Sequence, residues 1–180
     1  MSSTTLTAAA DPLLKPWEIS KLTTFAPSGR PGSSTWSIIN VTITDPNDYS
    51  NPPPLNLAAG LAVNKSTTTA DCGFKWQYDN FASAYDHVEH CTAVSEGSWT
   101  FEMLEASNSS YPSPLTDFVL RFKRSVPRAS RRVRGPLSWV GDARFVVGDN
   151  MRGLCSASGV CSFGLKEENT PFYINQTRLG

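Results

Sequence analysis

Four cysteines fall in two close pairs, Cys72 with Cys91 and Cys155 with Cys161, and these pairs constrain the chain more than any other feature. Separations of roughly twenty and six residues, with no Cys-x-x-Cys and no histidine at finger spacing, do not describe a metal or redox site. Structural disulfides are the favoured reading, and they place the chain in an oxidising compartment. Four cysteines allow three connectivities. The sequential one is preferred because Cys155 and Cys161 flank Ser-Ala-Ser-Gly-Val, a tight turn that returns the chain within bridging distance.

A chain of 180 residues fits one domain and can bury roughly 70% of its unfolded surface. The formal charge is zero, so no global field draws nucleic acid or an acidic membrane to it. Four Asn-x-Ser/Thr sequons, at Asn40, Asn64, Asn108 and Asn175, agree with an extracellular glycoprotein. Residues 1–10 carry neither a basic start nor an apolar run, so residues 1–13 read as a disordered tail or the remnant of a secretion leader. Ala8 and Ala10 would suit a cleavage site before Asp11. No stretch is long and apolar enough to span a membrane.

Period-two alternation recurs along the chain and helical periodicity does not, which predicts an all-β domain. Strands are expected at Trp17 to Phe25, at Trp36 to Thr44 and, weakly, at Leu55 to Val63. Cys72, Phe74, Trp76 and Tyr78 alternate with small or polar residues in the clearest half-buried pattern. Further strands are expected at Val88 to Val94, Trp99 to Met103, Phe118 to Phe122, Ala143 to Val147 and Cys161 to Leu165. About nine to eleven short antiparallel strands suggest a compact barrel or sandwich. The domain is placed at residues 14–176, with 121–140 as a basic loop insertion and 177–180 as a tail. One conflict stands: if Cys72 faces inward to meet Cys91, Glu89 shares that face unless a bulge or a strand end intervenes.

The reactive-looking residues weigh against enzymatic chemistry. His87 and His90 lie three apart and would face opposite sides of a strand, and Cys91 is expected to be oxidised. Glu102 and Glu105 are separated in the same way, which does not suit a glycosidase pair. No nucleophile elbow, phosphate-binding loop or zinc-protease helix is present. No cofactor, metal site or catalytic residue is therefore expected.

Seven basic residues between Arg121 and Arg134 stand without an acid among them. They read as a solvated hairpin loop, with anion binding or proteolytic processing as the functional alternatives at Lys123, Arg124, Arg128, Arg131, Arg132 and Arg134. Aromatics do not interleave with the arginines, which disfavours nucleic acid. Trp17, Trp36, Trp76 and Trp99 read as core residues. Trp139, between Gly135-Pro136 and Gly141, reads as a loop-borne contact.

Several segments, in order, resemble small secreted fungal proteins of the Alternaria-major-allergen-like family. They are Pro16-Trp-Glu-Ile-Ser, Phe25-Ala-Pro-Ser-Gly-Arg-Pro, Ile39-Asn-Val-Thr-Ile-Thr-Asp-Pro, the paired Cys72 and Cys91, Trp99-Thr-Phe-Glu-Met-Leu-Glu, and the closing Gly153-Leu-Cys-Ser-Ala-Ser-Gly-Val-Cys-Ser-Phe-Gly-Leu-Lys. The resemblance implies a secreted antiparallel β-barrel with two sequential disulfides and no catalytic site. It implies a host-interaction protein, effector-, elicitor- or allergen-like, whose partner is a plant defence protein or a cell-wall component. The chain lacks the extra N-terminal cysteine through which some such proteins dimerise, so a monomer or non-covalent dimer is expected. A lipocalin-like carrier and a wall-glycan hydrolase are the alternatives.

Overall fold

Alternating side chains give each strand one apolar face, and two sheets bury those faces against each other. The structure is a computed structural model that describes residues 14–47, 49, 67–85, 87–127 and 136–179. Among these it forms eleven strands: β1 (Trp17–Ala26), β2 (Trp36–Asp45), β3 (Thr68–Gln77), β4 (Val88–His90), β5 (Ser98–Glu105), β6 (Asp117–Val126), β7 (Leu137–Val146), β8 (Met151–Cys155), β9 (Cys161–Leu165), β10 (Phe172–Ile174) and β11 (Thr177–Leu179). The first sheet runs β3-β2-β1-β9-β8, with β10 beside the start of β1; the second runs β11-β7-β6-β5-β4. All pairings between these strands are antiparallel. The sheets stack as a sandwich and do not close into a barrel. No helix among the described residues is long and apolar enough to cross a membrane.

The clearest sequence pattern is the most regular strand. In β3 Ala70, Cys72, Phe74 and Trp76 are buried while Asp71, Gly73, Lys75 and Gln77 face out. β2 follows the same rule, with Ile39, Val41 and Ile43 inside and Asn40 outside. β1 departs from it. Its pairing with β2 shifts between Ile19 and Lys21, so the inward parity passes from Trp17 and Ile19 to Leu22, Thr24 and Ala26.

Aromatic rings fill the space between the sheets. Trp17 meets Trp99 edge-on at 4.7 Å, Phe74 lies 5.6 Å from Phe101, Phe118 lies 5.8 Å from Phe145, and Phe145 lies 5.1 Å from Phe172. Each such ring removes roughly 150–250 Å² from water, so the interior is a packed core and not a lumen.

Both disulfides form with the sequential pairing. Cys155–Cys161 closes the β8–β9 hairpin, where the two residues are directly opposed. Cys72–Cys91 does something different, because β3 is an edge of the first sheet and Cys91 follows β4, an edge of the second. This bridge clamps the two sheets along one seam. Thr92 reinforces it: its N–H donates to Asp71 O at 2.8 Å, and its Oγ1 accepts from Asp71 N at 2.9 Å. The conflict over Glu89 is resolved by a strand end, since β4 stops at His90 and the chain turns toward Cys72.

Four expectations are corrected. Of the segment read as a basic loop over 121–140, residues 121–126 belong to β6 and 137–140 to β7, which pair from Asp117↔Val146 to Val126↔Leu137, while 128–135 lie outside the described residues. Arginine and lysine there suggest loop chemistry, but the strand period of Phe118, Leu120 and Phe122 carries on through them. The tail at 177–180 contains β11, whose Thr177–Leu179 pairs with β7 and covers that edge. Trp139 is buried in β7, stacked on Tyr49 at 4.0 Å, and is not a loop contact. Trp36, expected in the core, is 36% exposed at the start of β2, with Lys75 Nζ 4.9 Å above its ring. The expected strand at Leu55 to Val63 and the tail at 1–13 lie outside the described residues.

Candidate functional site

The sandwich end at which β1 and β3 finish carries a tied-down pair of loops. After β3, Asn80 caps a short 3₁₀ turn, Phe81–Ala84: its Oδ1 accepts from Ser83 N, and Ser83 Oγ donates to Asn80 O at 2.7 Å. Ala84 is buried by this turn, while Phe81 is left 45% exposed. Tyr85 follows with its ring half-buried near Glu105 and Asp117. Burial, then those two carboxylates, push its phenol up to about 12.

Glu105 and Asp117 frame the β5–β6 loop, Ala106 to Thr116. Ala106 and Leu115 are buried at its two ends, and Thr24 Oγ1 donates to Leu115 O at 3.0 Å from the opposite sheet. Arg144 grips Asp117 through two bonds of 2.8 Å, which holds that carboxyl below its ordinary range. Within the loop Ser109 N donates to Ala106 O, and Tyr111 N donates to Ser109 Oγ at 3.0 Å. Pro112 and Pro114 restrict the backbone further. On this anchored base Tyr111 is 87% exposed.

A second surface is a groove of about 740 Å³ on the outer face of β1, β2 and β3. Its floor dips at Gly73, and its walls include Lys21, Asn40, Thr42, Asp71, Lys75 and Thr92. Thr42 Oγ1 donates to Asp71 Oδ1 at 2.6 Å across the β2–β3 pair.

The opposite end of the sandwich buries charge. Asp45, the last residue of β2, is 1% exposed, and Arg124 of β6 is 2% exposed. Their Oδ2 and Nε atoms stand 3.7 Å apart, an ion pair too long for a hydrogen bond. Asn47 donates two bonds of 2.9 Å to Asp45 Oδ1, and the Arg124 guanidinium lies 5.4 Å from the Trp99 ring centre. Tyr49 aims its hydroxyl at Asp45 and Trp17 without reaching hydrogen-bond geometry with either. Burial dominates all three groups: it raises Asp45, raises Tyr49 and lowers Arg124. Such a pair specifies geometry more than it stabilises.

The sequence-derived candidates are dispersed. Lys123 is exposed on β6 and Arg124 is interior, so the two do not form a processing loop or an anion patch. Arg128, Arg131, Arg132 and Arg134 lie outside the described residues, as does Asn64. Asn40, Asn108 and Asn175 are all exposed, on β2, in the β5–β6 loop and between β10 and β11. His87 packs edge-on against Phe74 at 4.7 Å with Glu89 3.6 Å away, while His90 lies at the groove. Glu102 faces out beside Arg121, which also holds Asp142 at 2.8 Å; Glu105 falls on the other parity at the end of β5. Among the described residues no three His, Cys, Asp or Glu side chains cluster as a metal site. No family model, curated protein or solved structure matches the chain.

Sequence reasoning missed Tyr111 and Phe81. The signal was present for the first: a large aromatic between Ser-Ser and Pro-Ser-Pro has no strand pattern to bury it.

Proposed function

We propose that the chain is a secreted fungal interaction protein of the Alternaria-major-allergen-like kind, non-enzymatic, with the Phe81–Tyr111 loop end as its contact surface. The exposure of Tyr111 on an anchored loop carries this reading. An aromatic left in water costs hydration free energy, whereas in an interface it supplies large contact area for little lost side-chain freedom. The hydrogen bonds at Ser109, Tyr111 and Leu115 order the loop in advance, so less entropy is lost on docking. A plant defence protein or a wall component is the partner, met by a monomer or a non-covalent dimer.

The packed interior favours this reading over a lipocalin-like carrier, whose ligand needs a lumen. The separate settings of Glu102 and Glu105 disfavour the hydrolase.

The test is infiltration of purified protein into leaves of several plants, scored for cell death and defence-gene induction. Wild type is expected to provoke a response that the Phe81→Ala/Tyr111→Ala double variant loses, with unchanged thermal unfolding. A fully active double variant contradicts the assigned surface. Wild type that provokes nothing and shows no saturable binding to plant wall material contradicts the function.

A further inference from the structure

The groove on the outer face of the first sheet has a lining that the contact surface above does not use. We propose that it is the bed of an N-linked glycan carried by the protein itself on Asn40, with Gly73 keeping the bed open. The proposal rests on the secretory passage inferred above.

Gly73 is the first observation. It sits in the middle of β3, directly opposite Asn40, in ordinary strand backbone whose conformation does not require glycine. Glycine weakens a strand interior, and its presence there marks a close approach by something else. A Cβ at this position would stand 2.9 Å from Asn40 Oδ1 and 2.9 Å from Ile39 O. The missing side chain therefore makes room for the amide of the asparagine that would bear the sugar.

The second observation is the sequon's setting. Asn40-Val41-Thr42 lies in β2, a strand with neighbours on both sides, and its period turns Val41 into the core while Asn40 faces the groove. Thr23 of β1 is its neighbour on the other side. A glycan rising from Asn40 meets the ammonium group of Lys21, a carboxylate at Asp71 and hydroxyls at Thr42 and Thr92. These match the hydroxyls and acetamido group of a first N-acetylglucosamine, and the half-buried Ile38 gives its ring an apolar patch.

The chemistry takes place on the nascent chain, before β2 is paired. The Asn40 amide nitrogen attacks the anomeric carbon of a lipid-pyrophosphate-linked oligosaccharide. The C–N bond forms as the C–O bond to phosphate breaks, the lipid pyrophosphate leaves with the electron pair, and the amide gives up one proton to base. Folding then lays the first sugars into the groove.

The experiment uses the full chain fused to a secretion leader in a yeast host, with site occupancy read by glycopeptide mass spectrometry. The native glycoprotein is then trimmed with an endoglycosidase that cuts within the sugar core. Asn108, exposed in the β5–β6 loop, is the internal reference. The expected result is a glycan at both sites, with Asn40 trimmed about tenfold more slowly than Asn108 until the protein is denatured. Lys21→Ala, which alters only a wall, should bring the two rates closer together. A glycan on Asn108 with none on Asn40 overturns the proposal and leaves secretion standing. Equal trimming of the two native sites also overturns it. Absence of glycan at every sequon overturns it together with the secretory reading.

Discussion

Arg124 shows how a single side chain can obey a pattern against its chemistry. It follows Phe118, Leu120 and Phe122 at even spacing, as Asp45 follows Ile39, Val41 and Ile43, so both charges fall on the buried parity of their strands. That parity was legible in the sequence. Their partnership was not, because it joins strands of different sheets and depends on tertiary packing. Replacing Arg124 by Leu leaves Asp45 buried without its cationic partner and is expected to cost about 3–5 kcal/mol in denaturant unfolding at neutral pH, whereas the double change Asp45→Leu/Arg124→Leu costs far less.

Two carboxylates give opposite pH signatures. Asp117 is lowered by Arg144, so its contribution is complete above the ordinary carboxylate value and is lost as pH falls through the folded value. Asp45 is raised by burial, so its contribution is complete below the ordinary value and declines as pH rises toward the folded one. On acidification wild type should therefore lose stability relative to Asp117→Asn and gain stability relative to Asp45→Asn. Unfolding curves collected across the acid range check both signs.

At the scale of elements, strands with unbroken alternation were legible and those without it were not. β3 is a simple period of two, and its burial follows that period throughout. β8, β10 and β11 have five, three and three residues, too few for a period to emerge, and their pairing comes from neighbouring strands that the sequence does not identify. The 121–126 stretch misled because basic residues are read as solvent-facing; on β6 Arg121 and Lys123 do face out, while Arg124 turns in. A protease that cuts after dibasic pairs should therefore leave the Lys123–Arg124 site of the folded protein intact, and peptide mapping of a limited digest reads this directly. The β5 entrance makes a second prediction. Gly97 has φ +76°, and a Cβ there would collide with Ser125 O of the paired strand. Gly97→Ala should lower stability by about 1–3 kcal/mol through strained backbone and a disturbed start to the β5–β6 ladder.

For the whole molecule, the two disulfides act at different ranges. Cys155–Cys161 joins neighbours within a hairpin, so it constrains little that the turn does not already hold. Cys72–Cys91 links the edges of separate sheets, and its loss through Cys72→Ala/Cys91→Ala should cost about 2–4 kcal/mol, more than the hairpin bridge. The clamp supports the proposed function, since it fixes the sheet edges that flank the Phe81 turn and the Asn40 groove. Disulfide mapping by non-reducing digestion and mass spectrometry of protein recovered from culture fluid tests the account most directly. It predicts peptides joined as Cys72–Cys91 and Cys155–Cys161 with no free thiol; four reduced cysteines in the folded, secreted protein would contradict it.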